Sequence, residues 1–187
     1  MSSGRITPIS NFHPKASDTI IFDSNILIKL FYPLQTSNAV AYYSGLYAQV
    51  LTSKSNLLIT SIQISEFINR CIRFQFGLYE KSHANGSRLD FKQDYRSTDD
   101  YRESMNAILD IVSSDIAPNF NFINDNFNDM KKDSLFKYGF SYDFNDAILL
   151  EVARLNNAIL VTDDKDFANY SSKVRIITNN KKLLMFS

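Results

Sequence analysis

The chain contains one cysteine, Cys71, so no disulfide can form within it and a thiolate zinc site is excluded. Histidine is almost as scarce. His13 and His83 lie far apart in polar, turn-rich stretches, which points to surface positions and away from a histidine-based metal or nucleophile site. Any metal must therefore be held by oxygen ligands, and that selects Mg²⁺ or Mn²⁺. Five glycines and four prolines are too few for a long linker or a low-complexity region. Charge of one sign is also missing, with Lys+Arg 20 against Asp+Glu 20. Such a chain is no generic nucleic-acid coat, although local clusters of basic residues can still bind nucleic acid. No apolar run approaches the ~20 residues of a membrane span. Residues Met1 to Ser17 are polar and carry no signal-peptide pattern. The expected location is cytoplasmic, with no membrane contact.

What remains is a composition suited to a core. Hydrophobic residues make up 44% of 187 and charged residues 21%, which predicts one globular domain over 1–187 with an N-terminal arm over 1–17. Thr19 to Phe22 is a short apolar run ending at Asp23, the pattern of a parallel strand buried on both faces. A short helix follows through Ile26 to Phe31 and is expected to stop near Pro33. Asn38 to Lys54 has helical spacing. Leu57 to Thr60 is a second strand, with Ser61 placed as the cap of a helix that carries Glu66. The polar stretch from Gly77 to Thr98, with Asn85-Gly86 as a turn signal, reads as a loop or insertion. Helical spacing resumes from Asp99 to Ser113. Phe120 to Ile123 is a third strand, and Asp125 to Phe136 is expected to be helical. Tyr142 to Asn156 is the clearest helix, Ala158 to Thr162 a strand, and Arg175 to Ile177 a last one; the C-terminal tail stays ambiguous. Strands alternating with helices predict an α/β fold with a parallel sheet and right-handed crossovers.

In such sheets ligands sit beyond the carboxyl ends of the strands. Asp23 ends the first strand there, Glu66 lies on the second turn after Thr60, Asp164 follows the Leu160-Val161-Thr162 strand, and Asp146 starts the helix before it. Two carboxylates ~4 Å apart repel by about 4 kcal/mol at an effective dielectric near 20. A divalent cation removes that cost, prefers oxygen ligands, and leaves positions for a phosphate and a water. Each acid alone has a structural reading as well. An Asp after a strand is often a helix cap, and Asp143 suits that role, although residues at i and i+3 are neighbours and it can share a metal face with Asp146. Glu66 can pair with Arg70, and Asp166 can be an ordinary turn residue.

The combination resembles the PIN-domain nucleases. Ile20-Ile21-Phe22-Asp23-Ser24-Asn25 is similar to the family's first motif. Thr60-Ser61 with Ser65-Glu66-Phe67 is similar to its second, Asp143-Phe144-Asn145-Asp146-Ala147-Ile148 to its third, and Thr162-Asp163-Asp164-Lys165-Asp166-Phe167 to its fourth. The match spans about Thr19 to Ile177. The resemblance implies a three-layer α/β/α fold on a five-stranded parallel sheet, with the polar segment around 74–100 as an addition. It implies Mg²⁺- or Mn²⁺-dependent cleavage of single-stranded RNA by Asp23, Glu66, Asp146 and Asp164 as catalytic residues and metal ligands. Asn25 and Thr162 would support them, with Asp143 and Asp166 beside them. Many bacterial members are toxins held by an antitoxin, so RNA and an antitoxin protein are the implied partners. Asp163 departs from the pattern as an extra acid, while Lys165 and Arg70 are cations placed to meet a backbone. Tyr101 to Val112 suits a homodimer interface as well as a core, with core burial preferred. A phosphatase would want an acid where Asn25 stands. A receiver domain gives the Asp146-Ala147-Ile148 helix no role. The alternative from another class is a catalytically silent scaffold that binds RNA or protein.

Overall fold

The computed structural model describes residues 5–32, 38–83, 88–136, 143–169 and 173–186. Six strands form one sheet, all parallel: β1 (Ile6–Pro8), β2 (Thr19–Phe22), β3 (Asn56–Thr60), β4 (Asn121–Ile123), β5 (Ile159–Val161) and β6 (Ile176–Thr178), in the order β1-β6-β5-β2-β3-β4. The helices are α1 (Ser24–Phe31), α2 (Asn38–Ser53), α3 (Ser61–His83), α4 (Asp99–Ile111), α5 (Lys132–Leu135), α6 (Phe144–Leu155) and α7 (Lys181–Leu184).

Successive side chains of a strand point to opposite faces, and here each face has its own core. Ile20, Phe22, Leu57, Ile59, Ile159 and Val161 join residues of α1 to α4 on one side. Ile21, Leu58, Leu160 and Ile176 join residues of α5, α6 and α7 on the other. Strands buried on both faces read as continuous apolar runs, and a three-layer α/β/α arrangement results. Tyr43 locks α2 to the strand ends: its hydroxyl donates to Asp163 Oδ1 at 2.9 Å and accepts from the Asn179 amide at 3.0 Å. Burial holds this phenol above its ordinary pKa. Among the described residues no helix is long and apolar enough to cross a membrane.

Several expectations are corrected. The sheet has six strands rather than five, because part of the expected arm, Ile6–Pro8, pairs with β6. The stretch expected as a polar loop is largely structured. α3 runs on to His83, and Phe91–Tyr95 forms a π-helical turn capped by Asp90, which accepts from Lys92 and Gln93 amides. The cause is aromatic: Phe76, Tyr79, Phe91, Tyr95 and Tyr101 pack ring against ring. The helix expected over Asp125 to Phe136 is instead a 3-10 turn at Phe127–Asp129 followed by the four-residue α5. Asn126 takes left-handed backbone (φ 54°), and Asp125 accepts the Phe127 amide, both of which compete with a helix. Ser61 lies inside α3 rather than capping it. Within the stretch Tyr101 to Val112, Ile108 is buried and Tyr101, Met105, Ile111 and Val112 pack against the core, while Leu109 is exposed. The Pro33 stop, the Asn85-Gly86 turn and Tyr142 lie outside the described residues.

Candidate active site

β2 and β5 are neighbours whose onward connections leave toward opposite sides of the sheet, so a crevice opens at their carboxyl ends. Asp23 sits there. Its amide donates to Val161 O of β5 at 2.9 Å, and its Oδ2 accepts from Thr162 Oγ1 at 2.7 Å. Asp23 occupies the cap position of α1, yet its carboxylate makes no capping bond. Asp143, at the same position of α6, does cap, accepting the Asn145 amide at 2.9 Å. The two acids share a local address and differ in use: Asp143 serves its helix, and Asp23 faces the crevice.

Glu66 reaches the same place from α3. Thr60 and Gln63 form a capping box, in which the Gln63 amide nitrogen approaches Thr60 Oγ1 at 3.5 Å and Gln63 Oε1 accepts from the Thr60 amide at 3.0 Å. Gln63 Nε2 also donates to Phe22 O at 2.6 Å, which ties the start of α3 to the residue before Asp23. One turn on, Glu66 Oε2 accepts from Ser24 Oγ at 3.0 Å, while Arg70 Nη1 lies 3.6 Å from Oε1. The expected Arg70 pair is present but long and exposed, so it contributes little. Asp146 enters from the first turn of α6. Asp23, Glu66 and Asp146 line one cavity of about 10 Å³, together with Ser24, Gln63 and Asn145. That is about the space of one water-sized occupant.

Asp164 is not among the residues lining this cavity and is tied to it through Thr162. Its amide donates to Thr162 Oγ1 at 3.0 Å, and its Oδ1 accepts the Asp166 amide at 2.9 Å. Thr162 therefore links Asp23 to Asp164. Asp166 completes the turn and is not among the charges that weigh most on Asp23 or Asp146. Asp163 is turned away, bonded by Tyr43 and ion-paired with Lys29. Lys165 is exposed at the start of the following turn. Asn25 does not line the cavity, and its Oδ1 is buried with no hydrogen-bond partner among the described residues. Ser24, its neighbour, makes the contact to Glu66. Ser24, Gln63 and Asn145 were not singled out from the sequence, and only their places inside the motifs pointed to them.

The electrostatics report a real cluster. Burial pushes Asp23 up to about 6, with Glu66 and Asp164 adding to the rise and the Thr162 hydroxyl and Ser24 amide opposing it. Asp146 is pushed up to about 8, first by burial and then by the charges of Asp23, Asp143, Asp164 and Glu66. The charges of Glu66 and Asp164, each from its own segment, thus bear on both Asp23 and Asp146. Among the described residues no three ligating side chains are already closed into a metal cage. The donor set, all carboxylate and hydroxyl oxygen, fits a hard divalent cation.

Gln63 is the joint of this arrangement. Gln63→Leu strands the buried Thr60 amide and Phe22 carbonyl, each costing about 1–3 kcal/mol. The expected result in thermal unfolding is a fall in Tm of roughly 5–15 °C. A change under 2 °C (about the effect of a neutral surface substitution) would show that the joint carries no weight.

A family model described as PIN domain matches residues 20–173. No curated protein matches the chain in sequence. Among solved structures, the chain is similar to VapBC2 from Rickettsia felis bound to a DNA fragment from their promoter. Identity is 17% and the TM-score 0.47, with 86% of this chain and 98% of that chain covered. With the family model spanning most of its length, the chain belongs to the PIN domain family, whose members are generally nucleases that typically use divalent metal ions.

Proposed function

We propose that this chain is an endoribonuclease that hydrolyses phosphodiester bonds of single-stranded RNA, with Mg²⁺ or Mn²⁺ held by Asp23, Glu66, Asp146 and Asp164. The observation that carries the reading is the convergence of Asp23, Glu66 and Asp146 on one cavity at the carboxyl ends of the strands, with Asp164 joined to Asp23 through the Thr162 hydroxyl. Asp23 is buried, yet it neither caps its helix nor pairs with a cation. A purely structural carboxylate would be expected to do one or the other.

Bound there, a divalent cation would supply polarisation of the phosphate and a stronger nucleophile from water. The chain's own residues do the positioning. Thr162 fixes one oxygen of Asp23 and leaves the other toward the cavity. Ser24 orients Glu66 across the mouth of the same cavity. Burial and the neighbouring acids favour the neutral form of the Asp146 carboxyl, and a cation held there would favour the charged form. Gln63 keeps the ends of β2 and β3 in step, so the distance between Asp23 and Glu66 stays set. RNA as the substrate class comes from the resemblance. The acidic cluster itself acts on the phosphodiester group common to RNA and DNA.

The test is to map new RNA 5′ ends after incubation of total RNA with the purified protein and Mg²⁺ or Mn²⁺. Asp23→Asn and a chelator serve as controls, and a single-stranded DNA pool runs in parallel. Cuts that vanish in both controls are the expected result. Cuts in DNA alone would reassign the substrate, and no cuts in either pool would overturn the proposal in favour of a binding scaffold.

A further inference from the structure

α3 has a feature that the acidic cluster does not use. An open groove of about 600 Å³ runs along its first turns, lined by Ser61, Ser65 and Asn69 and bounded by Ile62, Glu66 and Asn145. Ile62, Glu66 and Asn145 also line the acidic cavity, so the two spaces share a wall. On its other side the groove continues into a hollow of about 400 Å³, reached past the same Ser61, Ser65 and Asn69 and walled by Ile64, Ile68 and Phe122. The three polar residues stand one turn apart and form a stripe along the helix. Phe122 lies on the edge strand β4, in register with Ile59, and the residue is 56% exposed.

We propose that this groove is a nucleobase subsite. Phe122 stacks one unpaired base of the strand whose phosphate lies at the carboxylates, and Ser65 and Asn69 bond its edge. The inference rests on the nuclease reading above and extends it to the part of the substrate that is recognised. Three observations favour it. No Lys or Arg is among the described residues lining either space, so the groove lacks the charge that favours phosphate and suits the uncharged part of a nucleotide. It offers one open aromatic face beside neutral hydrogen-bonding groups, the combination that holds single-stranded bases. It also joins the acidic cavity at Glu66, three residues before Asn69, a rise of about 4.5 Å along the helix. The groove and the acidic cavity thus share Glu66 as a wall, so one strand can lie along both. A protein partner would need a wider apolar face. Ile64 and Ile68 are packed against the core, and Phe122 alone of the large apolar side chains here is exposed.

The experiment uses the full chain and single-stranded RNA oligonucleotides spanning a mapped cut, or a random-sequence pool if no cut is found. Cleavage is followed with the otherwise native chain. Affinity is read by fluorescence anisotropy on an Asp146→Asn background, so that binding is seen without cutting. Phe122→Ala is expected to weaken binding and raise KM by about 5- to 100-fold, the range of one lost base stack. Phe122→Tyr keeps the ring and should bind like the parent. Removing the base beside the cut should cost the parent a similar factor and cost Phe122→Ala nothing more. Equal affinity and KM for Phe122→Ala, or losses that multiply independently, would overturn the subsite and leave the groove to a protein partner. Ring-dependent binding without any cleavage would keep the subsite and remove the nuclease. Cleavage that ignores the ring would do the reverse, and a chain that binds no oligonucleotide loses both.

Discussion

Asp146→Asn is expected to lower cleavage by about 10³-fold or more while the protein stays folded. The scale is that of removing a group that stabilises charge in the transition state. Asp146 is the acid on which the others converge: Asp23, Asp143, Asp164 and Glu66 all raise it. Asn keeps the shape and one acceptor oxygen, but it has no charge to hold a cation. The helix beneath does not depend on the side chain. α6 is capped by Asp143 and anchored by Ala147, Ile148, Leu149, Leu150, Val152 and Ala153. It is further pinned by Glu151, which accepts from Arg154 Nε and Nη2 at 2.9 and 2.8 Å and from the Lys131 amide at 3.0 Å. Circular dichroism of the variant should therefore match the parent while single-turnover cleavage is lost. Turnover within tenfold of the parent would sink the assignment of Asp146.

The second large effect is on stability, and its direction is unusual for carboxylates. Asp23 and Asp146 are raised from 3.8 to about 6 and about 8. Between about pH 4 and these values the folded chain binds more protons than the unfolded one. Stability from the two groups is then fully present below pH 4 and is lost as pH rises through 6 and 8. For the buried Asp23 the loss is about 3 kcal/mol; Asp146 is more open, and solvent screens its share. Glu151 runs the other way, because Arg154 and the Lys131 amide outweigh its burial and hold it below its ordinary value. Its contribution is present near neutral pH and is lost in acid. The chelated protein should therefore lose roughly 5–10 °C of Tm between pH 5 and 9. Mn²⁺ should restore most of it above pH 8, and Asp146→Asn should flatten the slope while removing much of the Mn²⁺ effect. A Tm that is flat or rises over this range without metal would contradict the electrostatic picture of the site.

The acids were legible because of where strands end. β2, β3 and β5 are short apolar runs, and an acid directly after such a run, or one turn into the next helix, stands at the sheet edge whatever the tertiary detail. The supporting residues were not legible to the same degree. Gln63 reaches Phe22, and Ser24 reaches Glu66, across gaps of 41 and 42 residues that no local spacing encodes. Ser24 and Asn25 differ in direction because adjacent residues of a helix point about 100° apart, which a motif does not encode. β1 was hidden for a different reason. Ile6, Thr7 and Pro8 make a three-residue edge strand, and proline speaks against a strand unless its missing donor faces outward. The aromatic packing around Phe91 was masked by the charged residues between the rings, which give the segment the composition of a loop.

The pairing of β1 with β6 also sets an order of events during synthesis. Ile6 waits for Ile176, and β2 cannot gain its β5 neighbour until Val161 has been added. The sheet is therefore rich in contacts between distant parts of the chain, a topology that folds late and slowly. Asp23 and its Thr162 partner are 139 residues apart, so the acidic edge is assembled only when β2 and β5 pair.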